Sequence, residues 1–274
     1  MRKRRWKPVS ECIPLILSME CCATQEEMNA NIDATIARGY TPFADYLSSM
    51  DGRVALCGAG PSLGESLDEL KSMQCDLLAC NSAIGFLLEH GIVPRFGMIW
   101  DAHPICAQFA IPHPEITYLI AARCHADVFE RLKDCKVIVW YAGGDHNIHE
   151  FMMKKNMDVP LINGGSAAVT RGLYLARALG YTEFHVFGAD SSYEEHTHVT
   201  GPSLVNERVL DVYLGEGEKR KQFRSTPEWC AQVQEFKLIY QRFMAIGWKI
   251  EVHGAGMMKE MFERLKLQLL EGAR

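Results

Sequence analysis

The sequence predicts an α/β fold with a mainly parallel sheet and flanking helices, behind a short helical N-terminal preamble. Three observations carry this. From Arg53 onward, short apolar runs alternate with amphipathic stretches, as in chains that build strands and crossover helices in turn. Glycine turns at Gly58–Gly60 and Gly164–Gly165 sit directly between an apolar run and a helical stretch. The composition is that of a globular protein: 274 residues, 48% hydrophobic and 23% charged. Such a chain buries a large core without a disulfide or metal staple. Disordered, collagen-like and coiled-coil architectures are excluded on the same grounds.

The elements follow in order. Residues 1–50 read as a helical N-terminal extension, with Thr24 as the N-cap of a helix over Gln25–Arg38 that Gly39 stops. Residues 51–274 read as one catalytic domain. Its strands are predicted at Arg53–Cys57, Asp76–Cys80, Gly97–Trp100, Thr117–Ala121, Lys136–Trp140, Val159–Ile162 and Thr182–Phe187. Helices are predicted at Gly64–Ser72, Ala83–His90, Ala126–Leu132 and Ser166–Leu179, the last closed by Gly180. Residues 190–225 are polar and turn-rich, and read as a long loop on the active face. Thr226 and Pro227 then start a long helix to Ile246. A strand at Trp248–His253 and a helix at Met257–Leu270 finish the chain.

Charge and cysteine usage narrow the function classes. The net charge of −5 disfavours a general nucleic-acid binder. The ten cysteines have no regular spacing, and several lie in apolar runs; they read as reduced thiols in a cytoplasmic protein. The basic cluster Arg2–Lys7 precedes a weakly apolar stretch broken by Glu11 and Pro14. It reads as a surface tail rather than a signal peptide. No run approaches the length of a membrane span.

Five motifs sit where parallel-sheet proteins bind ligands, at the carboxyl ends of strands. Gly58-Ala59-Gly60-Pro61-Ser62 joins strand to helix, so its amides can cradle an anion. It matches neither the dinucleotide fingerprint nor the Walker A loop, and a plain glycine turn is the simpler alternative. Asn81 and Ser82 end the next strand; an amide there can read a base or ribose, or else cap the following helix. Asp101 ends the third and suits a metal, a hydroxyl or a proton, or again a cap. Gly164-Gly165-Ser166 offers a second anion turn. Asp190, with Tyr193, His196 and His198 beyond it, suits acid–base or metal chemistry. The spacing of His146 and His149 also permits a metal pair, although a surface helix start is the simpler explanation.

The segments GAGPSL, CNSAIGFLLEHGIVPRFGMIWDAHP and NGGSAAVTRGLYLARALGYTEFHVFGADSSYEEHTHVTG occur in that order. Together they resemble the MptE-like 6-hydroxymethylpterin diphosphokinase and motility accessory factor family, and the skeleton is similar to bacterial sialyltransferases. The resemblance covers roughly residues 53–201. It implies a Rossmann-like nucleotide-binding fold. By matched motif it places Gly58, Gly60, Pro61 and Ser62 at a donor's phosphate and ribose, and Asn81 on the nucleotide. It makes Asp101, Asp190 and His198 the catalytic candidates. Ser191-Ser192 departs from the more apolar pair of many relatives, and the lid before the histidine is shorter than in sialyltransferases.

The leading expectation is a transferase using a nucleotide-activated donor, a sialyltransferase-like glycosyltransferase with a CMP-linked sugar. The main alternative is an ATP-dependent diphosphokinase, in which Asp101 and Asp190 would hold Mg²⁺. A metal-dependent hydrolase and a non-catalytic nucleotide-binding module are further alternatives. The partner expected is a small-molecule nucleotide donor, with a glycan, protein or pterin as acceptor.

Overall fold

A computed structural model describes residues 23–144, 146–193 and 208–272. The chain opens with α1 (Gln25–Ala37) and a two-residue strand, β1 (Thr41–Pro42). There follow β2 (Arg53–Cys57), α2 (Ser62–Glu65), α3 (Leu67–Ser72), β3 (Asp76–Cys80), α4 (Ala83–Glu89) and β4 (Phe96–Ile99). After a 3-10 turn at Pro104–Phe109 come β5 (Thr117–Ala121), α5 (Ala126–Arg131), β6 (Lys136–Ala142) and α6 (His146–Lys154). Then come β7 (Leu161–Ile162), α7 (Ala168–Leu179), β8 (Glu183–Phe187), β9 (Leu210–Leu214) and β10 (Lys221–Ser225). The chain ends with α8 (Pro227–Ala245), β11 (Lys249–Val252) and α9 (Gly256–Gly272).

Nine strands form one sheet in the order β1-β6-β5-β4-β3-β2-β8-β11, with β7 also paired to β6. Every pairing in it is parallel. The chain therefore steps outward from β2 through β3, β4, β5 and β6, then returns to place β8 and β11 on the other side. The direction of travel reverses between β2 and β8, and open α/β sheets bind ligands at such a switch point.

Helices cover both faces, so the central strands are buried without alternation. In β2, Val54, Ala55, Leu56 and Cys57 are all inaccessible to solvent. Helix α7 lies against β2 and β3, and its Leu173, Leu175, Ala176 and Leu179 are buried. Gly172 permits that approach, because a Cβ there would lie 3.0 Å from Leu56 Cδ2.

The predicted termini hold at the strongest signals. Thr24 and Glu27 form a capping box on α1. Gly180 closes α7 at φ +118°, and Thr226 accepts the Trp229 N–H at the start of α8. Three features differ from the sequence expectation. The helix predicted over Gly64–Ser72 breaks at Ser66 into α2 and α3. Within the 1–50 segment, Thr41–Pro42 adds an edge strand, and Ile32 and Phe43 join the core. Within 190–225, β9 and β10 pair as an antiparallel hairpin.

Residues 1–22, with the basic cluster, lie outside the described residues, as do Asp145, His196 and His198. The seven described cysteines are free thiols. Burial pushes Cys80 and Cys106 up to about 12, which leaves them unreactive. Among the described residues, no helix is long and apolar enough to cross a membrane.

Candidate functional site

The loops leaving β2 and β8 cross at close quarters. The Gly58 N–H donates to Phe187 O at 2.9 Å, and the Gly60 N–H to Gly188 O at 2.8 Å. A Cβ on Gly58 would lie 2.5 Å from Gly188 O, and Gly188 itself sits at φ +59°. Only glycine fits such a crossing. The Ser62 N–H then donates to Asp190 Oδ2 at 3.0 Å. Asp190 is 2% exposed, and its carbonyl accepts the Met258 N–H at 3.2 Å. The amides of Gly58, Gly60 and Ser62 are thus engaged by the β8 side. The turn sets the shape of the site more than it offers donors.

Beside this crossing lies a cavity of about 640 Å³. One wall is Gly58–Pro61 together with Gly188–Ser192, and the next is Cys80, Asn81 and Ser82. Phe86, Phe109 and Trp229 supply aromatic surface, and Ala167–Thr170 close the far side. Asn81 stands in the left-handed region at φ +50°. Its N–H donates to Met98 O at 2.9 Å, but its Oδ1 is buried and has no hydrogen-bond partner among the described residues. Ser62 Oγ is in the same state.

The second glycine turn has a different occupant. Gly164 and Gly165 adopt φ +87° and +83°, and a Cβ on Gly165 would lie 2.6 Å from Thr170 C. The Ser166 N–H and Oγ–H both donate to Glu235 Oε2 at 2.8 Å, and the Thr170 Oγ–H joins them at 3.0 Å. A carboxylate from α8 therefore fills the anion position of this turn. The Ala167 N–H is held by Thr170 Oγ1 at 3.0 Å. The Arg171 N–H, bonded to Ala167 O at 2.8 Å, makes the first full helical bond of α7. The amides of Ala168, Val169 and Thr170 accordingly have no acceptor within the helix, and these residues face the cavity.

The sequence candidates divide as follows. Gly58, Gly60, Pro61, Asn81, Ser82 and Asp190 line the cavity. Ser62 lies just behind it, bonded to Asp190. Gly164, Gly165 and Ser166 stand outside the lining and orient the start of α7. Asp101 also stands outside it, with Oδ1 accepting the His103 N–H at 3.0 Å. Among the described residues, no group of three or more His, Cys, Asp or Glu side chains could hold a metal. Residues the sequence did not mark include Glu235, Gln232 and Met258. On α8 and α9 they look like ordinary positions of amphipathic helices, and no local pattern separates them.

A family model described as 6-hydroxymethylpterin diphosphokinase MptE-like matches residues 27–196, more than half of the chain. The chain belongs to the MptE-like family. No curated protein matches it. Among solved structures it is similar to the MAf glycosyltransferase from Magnetospirillum magneticum AMB-1, with TM-score 0.61 and 15% identity. That match covers 90% of this chain and 42% of the other, so the chain spans less than half of that glycosyltransferase. At this identity the likeness establishes the shared Rossmann-like fold. A weaker match is the sialyltransferase CstII from Campylobacter jejuni, solved with cytidine-5'-monophosphate, with TM-score 0.34 and 14% identity over 76% of this chain and 86% of the other.

Proposed function

We propose that this MptE-like chain is a transferase that binds a nucleotide-activated donor in the cavity between β2, β3 and α7, and that it is a glycosyltransferase using a nucleotide sugar such as a CMP-linked one. The observation that carries the proposal is Asn81 Oδ1, buried in the cavity wall with no partner among the described residues. Leaving such an acceptor unsatisfied costs about 1–3 kcal/mol. A base amine or a ribose hydroxyl would satisfy it. Opposite, the first turn of the 12-residue helix α7 presents amides that have no acceptor within the helix, and the positive end of its dipole. That is where a nucleotide phosphate fits, and where charge building on a departing phosphate is stabilised. The cavity volume of about 640 Å³ suits a nucleotide with a small attached group.

In this proposal Asp190 fixes the glycine turn through Ser62. His198, or Asp190 through it, takes the proton from the acceptor hydroxyl.

The second reading, an ATP-dependent diphosphokinase acting on a pterin alcohol, is favoured by the description of the matching family model. The aromatic surface of Phe86, Phe109 and Trp229 would suit a pterin. Mg²⁺ would bridge the phosphates in that chemistry. Asp190 borders the cavity while Asp101 does not. The described donors therefore do not assemble a magnesium site.

A thermal-shift screen with CMP, CDP, UDP, GDP, ADP and ATP, each with and without Mg²⁺, tests both readings. Stabilisation by CMP or another sugar-carrier nucleotide without metal, lost in Asn81→Ala, supports the glycosyltransferase. Stabilisation only by ATP with Mg²⁺ supports the diphosphokinase. No shift with any nucleotide refutes both.

A further inference from the structure

Beyond the nucleotide cavity, two guanidinium groups converge on one indole. Arg123 Cζ lies 4.3 Å from the centroid of the Trp100 ring, and Arg171 Cζ lies 4.9 Å from it. Trp100 follows β4, Arg123 follows β5, and Arg171 extends from the first turn of α7. Arg171 is 7% exposed. Its Nη1 donates to Ile162 O at 2.6 Å and to Gly143 O at 3.2 Å, while its Nε is buried with no partner among the described residues. Arg123 donates through Nε to Trp100 O at 3.0 Å and through Nη1 to Met28 Sδ at 3.9 Å.

Neither arginine makes an ion pair among the described residues. Glu235 exerts some attraction on Arg171, but its Oε2 is occupied by Ser166 and Thr170. Burial first, and then repulsion from Arg123, pulls Arg171 down to about 10. The indole face offsets part of the cost of two neighbouring cations. A carboxylate partner, which buried arginines normally have, is missing from the described residues. Guanidinium forks are shaped for planar or tetrahedral oxyanions.

We propose that Arg123, Arg171 and Trp100 form an oxyanion subsite, separate from the nucleotide cavity, that takes a phosphate or carboxylate group. Its position fits a second anionic group of the substrates. Arg123 follows a strand three places from β2 in the sheet. At strand spacings near 4.8 Å, this is roughly 14 Å from the glycine turn. Arg171 reaches toward the ends of β6 and β7, and its acceptors Gly143 and Ile162 do not line the cavity. A donor phosphate at the start of α7 leaves this subsite for an anion on the transferred group or on the acceptor. That allocation rests on the nucleotide-donor reading; the subsite itself rests on the arginines.

The test is thermal unfolding of the full chain in inorganic phosphate and, separately, in glucuronate, against chloride at equal ionic strength, with and without saturating CMP. At roughly ten times its dissociation constant, the bound anion raises Tm by about 3 °C over chloride, also with CMP present. Arg123→Gln, at a half-buried position, abolishes this shift and keeps any CMP shift. Arg171→Lys keeps the charge but not the fork, and weakens the anion at least fivefold. A phosphate shift assigns a phosphorylated group; a glucuronate shift assigns an acidic sugar. No shift over chloride, or an equal shift in Arg123→Gln, overturns the subsite. A CMP shift absent while the anion shift persists and depends on Arg123 refutes the CMP-linked donor and leaves the subsite standing.

Discussion

Gly60→Ala probes the crossing of the β2 and β8 loops. The new Cβ would lie 2.7 Å from Gly188 O and 2.9 Å from Asp190 Cγ, and would collide with Asp190 Oδ2. Ordinary contact begins near 3.4 Å, so the carboxylate group must retreat by at least 0.5 Å. Its bond from the Ser62 N–H is already 3.0 Å long, and that retreat stretches it to the edge of a hydrogen bond. A hydrogen bond to a charged group is worth about 1.5–3 kcal/mol, and overpacking adds about 1–3 kcal/mol. A loss near 3 kcal/mol corresponds to a fall in Tm of about 10 °C for a chain of this size. Because Asp190 and the turn share the cavity wall, nucleotide affinity falls with it, by about tenfold or more. Thermal unfolding and nucleotide titration of Gly60→Ala, Asp190→Ala and the double variant check this. Removing the carboxylate relieves the collision, so the double variant costs at least about 1 kcal/mol less than the sum of the singles. A Gly60→Ala protein with unchanged Tm and affinity, or strictly additive costs, would refute the argument.

Asn81→Gly removes both the left-handed strain and the orphaned acceptor; the ligand-free protein keeps its Tm within about 2 °C, while nucleotide affinity measured by calorimetry falls about tenfold. Glu235→Ala strips the acceptor from Ser166 and Thr170, costing about 2 kcal/mol in denaturant unfolding, and Glu235→Gln costs less than half of that. His253 is linked to Glu69 at 2.8 Å and His185 at 2.9 Å, with its ring 4.2 Å from that of Phe187. Burial holds its pKa below the ordinary histidine value of 6.5 against the pull of Glu69. The unfolded chain thus takes up this proton first. Its contribution to stability is full above pH 6.5 and is lost as pH falls toward the lower folded value, by up to about 1.4 kcal/mol per pH unit. In His253→Asn, the dependence of Tm on pH just below 6.5 flattens.

The strands at β2, β3 and β5 were legible because a parallel sheet covered on both faces needs unbroken apolar runs, and Val54–Cys57 or Leu77–Cys80 are such runs. The β9–β10 hairpin was not, because its half-exposed strands carry Asp211, Tyr213, Lys221, Gln222 and Arg224 among the apolar residues. These resemble a solvated loop until Leu210–Leu214 is seen paired with Lys221–Ser225. The break at Ser66 was hidden for another reason. Helical periodicity runs through it, and the Ser66 Oγ–H bond to Ser62 O at 2.9 Å is a local event with no pattern.

The site shows a sharper division. Sequence marks where a chain turns, because glycine is a local requirement. It does not mark what the turn's amides face, because that partner is chosen by the fold. Ser62 meets Asp190 across 128 positions, and Ser166 meets Glu235 across 69. Both glycine turns suggested anion sites, and both have carboxylates of the chain itself on their amides. What remains for a ligand is the first turn of α7 and the side-chain oxygen of Asn81, positions that the turns place but do not themselves form. The polar atoms to test first are those the fold has buried with no partner among the described residues: Asn81 Oδ1 in the cavity, and Arg171 Nε beside Arg123 beyond it.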